Sequence, residues 1–295
     1  MTRTDSTGSQ PWTTRRLLAW TTDFFKRKGI DSPRLAAEML LAHVLDVERL
    51  RLYMDADRPA SNVELDRYRA LVERAGRHEP VDYLVGRTPF FTMMLRVTPD
   101  VLVPRPSTET LVEHIIEHAR REGGIEQPCI ADVGTGSGAI AIALARNLPG
   151  ATVIATDISP AALAIAGENA REQGVADRIE FREGNLLEPL AGLKLHYLAS
   201  NPPYISDSEW QRVEPNVRDY EPQIALRGGV DGLDLIRPLI AGAPALLHPR
   251  GQLVLEVAAA HQQVAVQLAR EAGMLEPKVL CDHENLPRIL VAGTG

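Results

Sequence analysis

Residues Cys129-Ile130-Ala131-Asp132-Val133 form an apolar run that leads directly into Gly134-Thr135-Gly136-Ser137-Gly138, with three glycines in five residues. The apolar run predicts a buried strand, and a helix is predicted to begin near Ser137. Glycines let the backbone turn sharply and come close to a ligand, and a helix start offers free N–H groups. This strand–turn–helix context predicts an α/β fold whose loop holds a nucleotide-like cofactor.

From this loop onward, strand-like and helical segments alternate. Strands are predicted at Cys129–Val133, Thr152–Asp157, Ile179–Arg182, Tyr197–Ser200 and Gln252–Val257, with helices from near Ser137, Pro160, Gly232 and His261. Such alternation is typical of a mostly parallel sheet with helical crossovers. Two final runs, Pro277–Cys281 and Arg288–Val291, are joined by a connection too short for a parallel crossover, so they predict a closing antiparallel hairpin.

The chain before the loop has a different character. Residues 12–88 predict a small all-helical domain, because apolar side chains recur at helical spacing, among them Leu35, Met39, Leu40 and Val44. Asp31-Ser32-Pro33 predicts a helix start, with a capping residue before a proline at the first helical position. Residues 1–11 are expected to form a disordered leader, and residues 107–295 the domain that carries the sheet.

Residues 89–106 connect these two domains and are predicted to form a β-hairpin linker. Two strand-like runs flank a turn predicted at Thr98-Pro99-Asp100, and the second of these runs is Val101–Val103. Ser107 or Thr108 is expected to cap the helix that follows.

Composition narrows the functional classes. The chain of 295 residues has a formal net charge of −7, which argues against stable nucleic-acid binding, since that needs many basic side chains. No apolar run approaches the length of a membrane span, so no membrane association and a cytoplasmic location are expected. The two cysteines, Cys129 and Cys281, are expected to be buried free thiols. No metal site is predicted.

The glycine loop by itself fits two cofactors. Counted through Ala139, it also matches the dinucleotide fingerprint G-x-G-x-x-A, and Asp157 at the end of the second strand suits ribose hydroxyls in either case. Asp132 is placed for an amine-bearing ligand, and Asn185-Leu186 after the third strand is placed for an adenine edge. With the closing antiparallel hairpin, these features favour S-adenosylmethionine over NAD.

Asn201-Pro202-Pro203-Tyr204 ends the strand Tyr197–Ser200, because proline has no N–H for the strand ladder. An amide or ring amino nitrogen is a poor nucleophile, since its lone pair is delocalised. The Asn201 side-chain oxygen and the Pro202 carbonyl are each placed to accept one of its hydrogens, and Tyr204 is placed to pack on its flat face. Methyl transfer would then rely on orientation, which supplies up to about 7–11 kcal/mol in favourable cases.

Together these motifs resemble the protein-glutamine N5-methyltransferases of the HemK/PrmC family, which modify class I peptide chain release factors. The resemblance covers about residues 14–293. Its motifs stand in the family's order: Val81–Gly86, Arg96–Pro106, the glycine loop, Ser200–Ile205, Glu221-Pro222 and Gly228–Leu233.

The resemblance implies a seven-stranded class I S-adenosylmethionine-dependent methyltransferase fold. A small N-terminal all-helical domain would recognise the substrate, and a β-hairpin linker would join it to the methyltransferase domain. The resemblance further implies that the methyl acceptor is the glutamine of the Gly-Gly-Gln motif in class I release factors. The enzyme is expected to act as a monomer.

The resemblance also assigns residues by motif match. The cofactor is expected to contact Gly134, Thr135, Gly136, Ser137, Gly138, Asp157 and Asn201, in addition to Asp132, Asn185 and Leu186. The glutamine is expected to contact Asn201, Pro202, Pro203 and Tyr204, with Asn201, Pro202 and Tyr204 as catalytic residues. Asn185 departs from the family, which usually has Asp there, although its oxygen can still accept from an adenine amino group. Arg105 and Glu109 are expected near the substrate entrance.

Three other functions share part of this pattern. The same reaction on a ribosomal protein glutamine uses the same motifs. N6-adenine DNA methyltransferases share the tetrapeptide, but base flipping needs a grip on DNA, and the chain has neither a basic stripe nor an inserted recognition domain. A non-catalytic dinucleotide-binding module would leave Asn201–Tyr204 without a purpose.

Overall fold

The computed structural model describes residues 11–121 and 125–295. These divide into two compact units, one ending at Val85 and the other spanning Gly86–Gly295. The predicted leader lies outside the described residues except for Pro11. In the described part of the chain, no helix is both long and apolar enough to span a bilayer.

The first unit is helical. Its α-helices are α1 (Thr14–Lys28), α2 (Pro33–Leu45), α3 (Arg49–Met54), α4 (Asn62–Ala75) and α5 (Val81–Val85). Phe25 from α1, Leu40 and Leu41 from α2, and Tyr68 and Val72 from α4 meet in one buried cluster. Of the apolar stripe predicted on α2, Leu40 is buried in this cluster and Val44 packs against it, whereas Leu35 is exposed.

Two serines stand at helix starts of this unit, but only one of them caps its helix. The Ser61 hydroxyl accepts from the Glu64 N–H while the Glu64 carboxylate accepts from the Ser61 N–H, which is a complete capping box at the start of α4. The hydrogen bond from Arg58, ahead of the contacts with Ser61, lowers the pKa of Glu64 to about 2. The predicted start of α2 at Pro33 is confirmed, but the Ser32 side chain makes no capping hydrogen bond.

The second unit is built on a seven-stranded sheet. Its strands are β1 (Arg87–Phe90), β2 (Met93–Arg96), β3 (Cys129–Val133), β4 (Thr152–Asp157), β5 (Ile179–Glu183), β6 (Leu195–Ser200), β7 (Leu247–Glu256), β8 (Leu275–Cys281) and β9 (Pro287–Gly293), of which the first two form a separate hairpin. Its α-helices are α6 (Pro106–Arg120), α7 (Ala139–Asn147), α8 (Pro160–Glu172), α9 (Pro215–Arg218), α10 (Ile236–Leu246) and α11 (Gln262–Glu271). The large sheet has the order β5-β4-β3-β6-β7-β9-β8.

Strands β3 to β7 are parallel, and β9 runs antiparallel to both β7 and β8. The predicted parallel sheet and its closing antiparallel hairpin are confirmed. Neighbouring residues of a strand enter opposite cores: Ile130 packs with α6 and α7, whereas Ala131 packs with α10 and α11. Helices on both faces explain why the strands read as continuous apolar runs.

The order of the strands creates a crevice. The chain runs outward from β3 to β4 and β5, then returns to place β6 on the other side of β3. Ligands of open α/β sheets bind at such a switch point, beyond the carboxyl ends of the strands. Val133 pairs with Ser200, so the residues that follow them, Gly134 and Asn201, leave adjacent strands at the same edge.

The hairpin differs from the prediction in its register. Its strands β1 and β2 turn at Phe91, whose φ is 54° and whose N–H donates to Glu109 Oε1 at 2.6 Å. The turn predicted at Thr98–Asp100 exists, closed by the Val101 N–H on the Thr98 carbonyl, but it follows the hairpin. Val101–Val103 forms no strand, because the Val103 N–H donates to the buried Glu221 carboxylate instead of a strand partner.

The two cysteines are free thiols, as predicted. Cys129 is half-buried at the start of β3, but the prediction of burial is wrong for Cys281, which is exposed. Cys281 ends β8, the outermost strand of the sheet, so its run is covered by a neighbouring strand on one side only.

The two helix-capping serines give a matched test. We expect Ser61→Ala to lower the free energy of unfolding by about 1 kcal/mol, because α4 loses a capping bond. Ser32→Ala removes no such bond, and we expect a change of less than about 0.5 kcal/mol. Urea unfolding followed by circular dichroism measures both. Equal losses in the two variants would contradict the assignment of the cap.

Candidate active site

A cavity of about 180 Å³ lies at the carboxyl edge of strands β3 to β6. Eight of the residues predicted to bind cofactor or substrate line it: Gly134, Gly136, Asp157, Asn185, Leu186, Asn201, Pro202 and Pro203. They come from four separate segments of sequence. The strand order brings these segments together at one site.

The glycine loop forms one wall of this cavity. Gly134 and Gly136 have φ values of 70° and 56°, and a Cβ built on either would meet no atom within 4 Å. Side chains at these positions would be strained and would occupy open space beside the cavity. The Gly134 and Thr135 N–H groups both donate to the Thr156 carbonyl, which ties the loop to β4. The wall is thus bare backbone that a ligand can approach closely.

Four predicted cofactor residues do not line the cavity: Asp132, Thr135, Ser137 and Gly138. Asp132 is fully buried, and its Oδ2 accepts from the Thr135 hydroxyl at 2.6 Å and from the Ala141 N–H at 3.0 Å. Its Oδ1 has no partner among the described residues. Burial raises the pKa of Asp132 to about 7. These contacts show Asp132 joining the loop to helix α7.

Asp157 both lines the cavity and holds the loop. Its Oδ2 accepts from the Gly136 N–H and its Oδ1 from the Ser159 N–H, each at 2.9 Å. A carboxylate oxygen has two lone pairs, so each oxygen retains capacity for a ligand hydroxyl. Asn185 and Leu186 line the cavity beyond β5, and Asn185 is exposed there.

A second cavity of about 340 Å³ adjoins the first. The two share Leu102, Asn201, Pro202, Pro203 and Ala225, so the tetrapeptide stands where they meet. Tyr204 lines only the second cavity, and burial raises the pKa of its hydroxyl. Of the predicted catalytic residues, Asn201 and Pro202 therefore line both cavities, and Tyr204 lines the second one alone.

Arg105 also lines the second cavity. Its guanidinium donates to Glu221 Oε1 at 2.6 Å, and the side chain of Glu221 is only 1% exposed. Glu109, the other residue expected near the entrance, instead holds the hairpin turn at Phe91.

The sequence did not indicate that Thr108 and Glu256 lie next to the tetrapeptide. The Asn201 Nδ2 donates to the Thr108 hydroxyl at 3.0 Å, and the Thr108 hydroxyl donates to Glu256 Oε2 at 2.6 Å. Ser107 or Thr108 was expected to cap helix α6, but the helix has Arg105 at its N-cap and no capping side-chain bond. A charged residue at the end of the apolar strand β7 was the signal that could have identified Glu256.

Segment 100–102 was also missed as a wall of the first cavity. It lies in the stretch Arg96–Pro106, where the apolar run Val101–Val103 predicted a strand. The segment is held instead by the bond from the Val103 N–H to Glu221, 118 residues away, and such a partner cannot be read from the sequence.

Comparisons with known proteins show the family of this chain. The model of the PrmC N-terminal domain matches residues 16–86, and that of the methyltransferase small domain matches residues 106–215. A Geobacter sulfurreducens protein named release factor glutamine methyltransferase is 37% identical, covering 95% of this chain and 96% of its own. A Moorella thermoacetica protein of the same name is 43% identical, covering 90% of this chain and 92% of its own. This chain belongs to the release factor glutamine methyltransferase family.

Solved structures show the same fold at low identity. The hMettl16 catalytic domain has a TM-score of 0.53 at 16% identity, covering 68% of this chain and 74% of its own. A T. thermophilus 16S rRNA N2 methyltransferase, solved with AdoMet and guanosine, has a TM-score of 0.51 at 18% identity, covering 71% of this chain and 50% of its own. The predicted class I methyltransferase fold is confirmed. Membership of the family confirms the methyltransferase activity and S-adenosylmethionine as its methyl donor.

Asp157 gives the first test of this site. We expect Asp157→Ala to weaken S-adenosylmethionine binding at least about tenfold, a loss of about 1.4 kcal/mol, because both the loop anchor and the ligand-facing oxygens disappear. Glu183→Ala is the matched control, since Glu183 pairs with Asp157 across the sheet but is exposed and lies outside the cavity. Isothermal titration measures both dissociation constants. An unchanged constant in Asp157→Ala would count against its role.

Asp132 gives a test of pH dependence. Its folded pKa of about 7 lies above its ordinary value of 3.8, so the folded state keeps a proton that the unfolded state releases. The stability contributed by this proton is complete below pH 4 and is lost as the pH rises to about 7. Between pH 4 and pH 7 we expect the free energy of unfolding to decrease more in the wild type than in Asp132→Asn. The difference between the two decreases should be on the order of 2–4 kcal/mol. Identical pH profiles of urea unfolding would refute this.

Proposed function

We propose that this chain transfers the methyl group of S-adenosylmethionine to the side-chain amide nitrogen (N5) of the glutamine in the Gly-Gly-Gln motif of class I peptide chain release factors. One observation carries the proposal: Asn201 and the two prolines after it line both cavities where these adjoin. A residue in that position touches a methyl donor on one side and a methyl acceptor on the other.

The first cavity suits the cofactor. The cofactor would lie close to the bare backbone at Gly134 and Gly136, and Asp157 would accept hydrogen bonds from its ribose hydroxyls. Asn185 and Leu186 would contact its adenine. Asp132, Thr135, Ser137 and Gly138 would shape the loop from beneath. When bound, S-adenosylmethionine supplies an electrophilic methyl group on a sulfonium.

The second cavity suits the glutamine side chain. Asn201 Oδ1 and the Pro202 carbonyl would accept the two amide hydrogens and so aim the nitrogen lone pair at the methyl group. Pro203 keeps the Pro202 carbonyl fixed, because its ring restricts the residue before it. Tyr204 would pack on the flat face of the amide. The chain thus supplies orientation, an effect of up to about 7–11 kcal/mol.

The partner is a protein loop in this proposal. The first unit would recognise the release factor, and the enzyme would work as a cytoplasmic monomer. Stable nucleic-acid binding is not expected from a chain of net charge −7. The names of the relatives favour release factors over a ribosomal protein or an adenine base as acceptor.

Methyl transfer to three purified acceptors tests this proposal. With S-adenosylmethionine labelled in its methyl group, we expect label on a release factor, but none on a ribosomal protein or on DNA. We expect Asn201→Ala to lower transfer at least about 100-fold because the amide loses its orientation, with the cofactor dissociation constant changed less than about threefold. No label on the release factor would overturn the proposed substrate, and normal turnover of Asn201→Ala would overturn the role of that residue.

A further inference from the structure

Three side chains from distant parts of the second unit form a hydrogen-bond chain behind the tetrapeptide. Asn201 Nδ2 donates to Thr108 Oγ1 at 3.0 Å, and Thr108 Oγ1 donates to Glu256 Oε2 at 2.6 Å. Glu256 ends strand β7, next to β6, and Thr108 lies in the first turn of helix α6. Glu256 is 0% exposed and Thr108 is 4% exposed, so water does not compete for these bonds.

The hydrogen-bond chain has a defined direction because of Glu256, its last member. A carboxylate only accepts hydrogen bonds, and Glu256 accepts from Thr108 on one oxygen and from the Ser107 hydroxyl on the other, at 2.9 Å. A hydroxyl has a single hydrogen, and that of Thr108 is used on Glu256. The Thr108 oxygen can therefore act only as an acceptor toward Asn201, and it selects the N–H₂ end of the amide.

Glu256 accepts its two hydroxyl hydrogen bonds in a buried site. Burial raises the pKa of Glu256 above its ordinary value, and the two hydroxyl donors and the Arg288 guanidinium offset this rise only in part. The carboxylate also lies against the first turn of a 15-residue helix, whose N-terminal end attracts negative charge. Arg288 forms its ion pair with Asp282, at 2.9 Å, and the charge of Asp282 acts to raise the pKa of Glu256.

We propose that Thr108 and Glu256 are positioning residues that hold the Asn201 amide in the one orientation able to accept a hydrogen from the substrate. This rests on the proposed function, in which Asn201 Oδ1 accepts from the acceptor nitrogen. An asparagine side chain presents oxygen or nitrogen to the substrate after a rotation of half a turn. Without Thr108 to bind Nδ2, the rotated amide would present N–H groups to the substrate N–H₂ and turn it away.

Threonine at two positions of helix α6 allows a matched experiment. We expect Thr108→Val to lower kcat about 10- to 100-fold, in line with the loss of one buried hydrogen-bond partner, while KM for the release factor and the cofactor dissociation constant change less than about threefold. Thr108→Ser keeps the hydroxyl and should restore kcat to within about threefold of wild type. Thr110→Val is the control, because the Thr110 hydroxyl is buried without a partner among the described residues, and its kcat should stay within about twofold.

Nuclear magnetic resonance of the side-chain amides tests the chain without any turnover. The Asn201 signals are assigned by their loss in Asn201→Ala. We expect slowed exchange of one Asn201 side-chain hydrogen in wild type and in Thr110→Val, and fast exchange in Thr108→Val. If Thr108→Val fails to fold, Thr108→Ala takes its place in both measurements.

The outcomes separate this proposal from the proposed function. Absence of methyl transfer by the wild type would reject the substrate, while the exchange measurement would still decide whether Thr108 holds Asn201. Normal kcat of Thr108→Val, with an active wild type, would overturn the positioning role alone. A drop in kcat that Thr108→Ser fails to restore would also overturn it, because the effect would then come from packing.

Discussion

The pairing of β3 with β6 is the contact on which the site depends. Val133 lies opposite Ser200, and each strand ends there for a local reason. A glycine follows β3, and an asparagine followed by a proline comes after β6. The cofactor loop and the tetrapeptide therefore leave the sheet side by side. Because the strands are parallel, both also leave at the carboxyl edge, where the two cavities meet. A shift in this register would separate donor from acceptor.

Three acidic side chains hold the segments that the sheet brings together. Asp132 holds Thr135 and helix α7, Asp157 holds Gly136, and Glu256 holds Thr108. Each lies at or near the carboxyl end of a strand, and each accepts from backbone or hydroxyl donors instead of a basic side chain. Hydrogen bonds to these acceptors fix the orientation of the donor groups, so each loop is held in one conformation. Orientation is also what the transfer of a methyl group to a poor nucleophile requires.

Elements with a local sequence signal could be predicted. Strands β3 and β4 have their predicted bounds and the closing hairpin lies where it was predicted, because apolar runs and short connections are properties of adjacent residues. Elements whose partners are far along the chain could not be predicted. The hairpin turn lies at Phe91 because Glu109 accepts its N–H, and Val103 leaves the strand ladder for Glu221. Asp132 was assigned to a ligand amine because its burial cannot be read from the sequence.

The sequence by itself determined the fold, the binding loop and the tetrapeptide, since the φ freedom of glycine, the missing N–H of proline and the apolar runs act over a few residues. Only the tertiary structure decided which end of the Asn201 amide is bound by Thr108. Its hydrogen bond to Thr108 spans 93 residues, and that from Thr108 to Glu256 spans 148. Such partners meet only after β6, β7 and helix α6 have packed. The direction of their hydrogen bonds depends on the positions of these atoms in space, which the sequence spacing does not give.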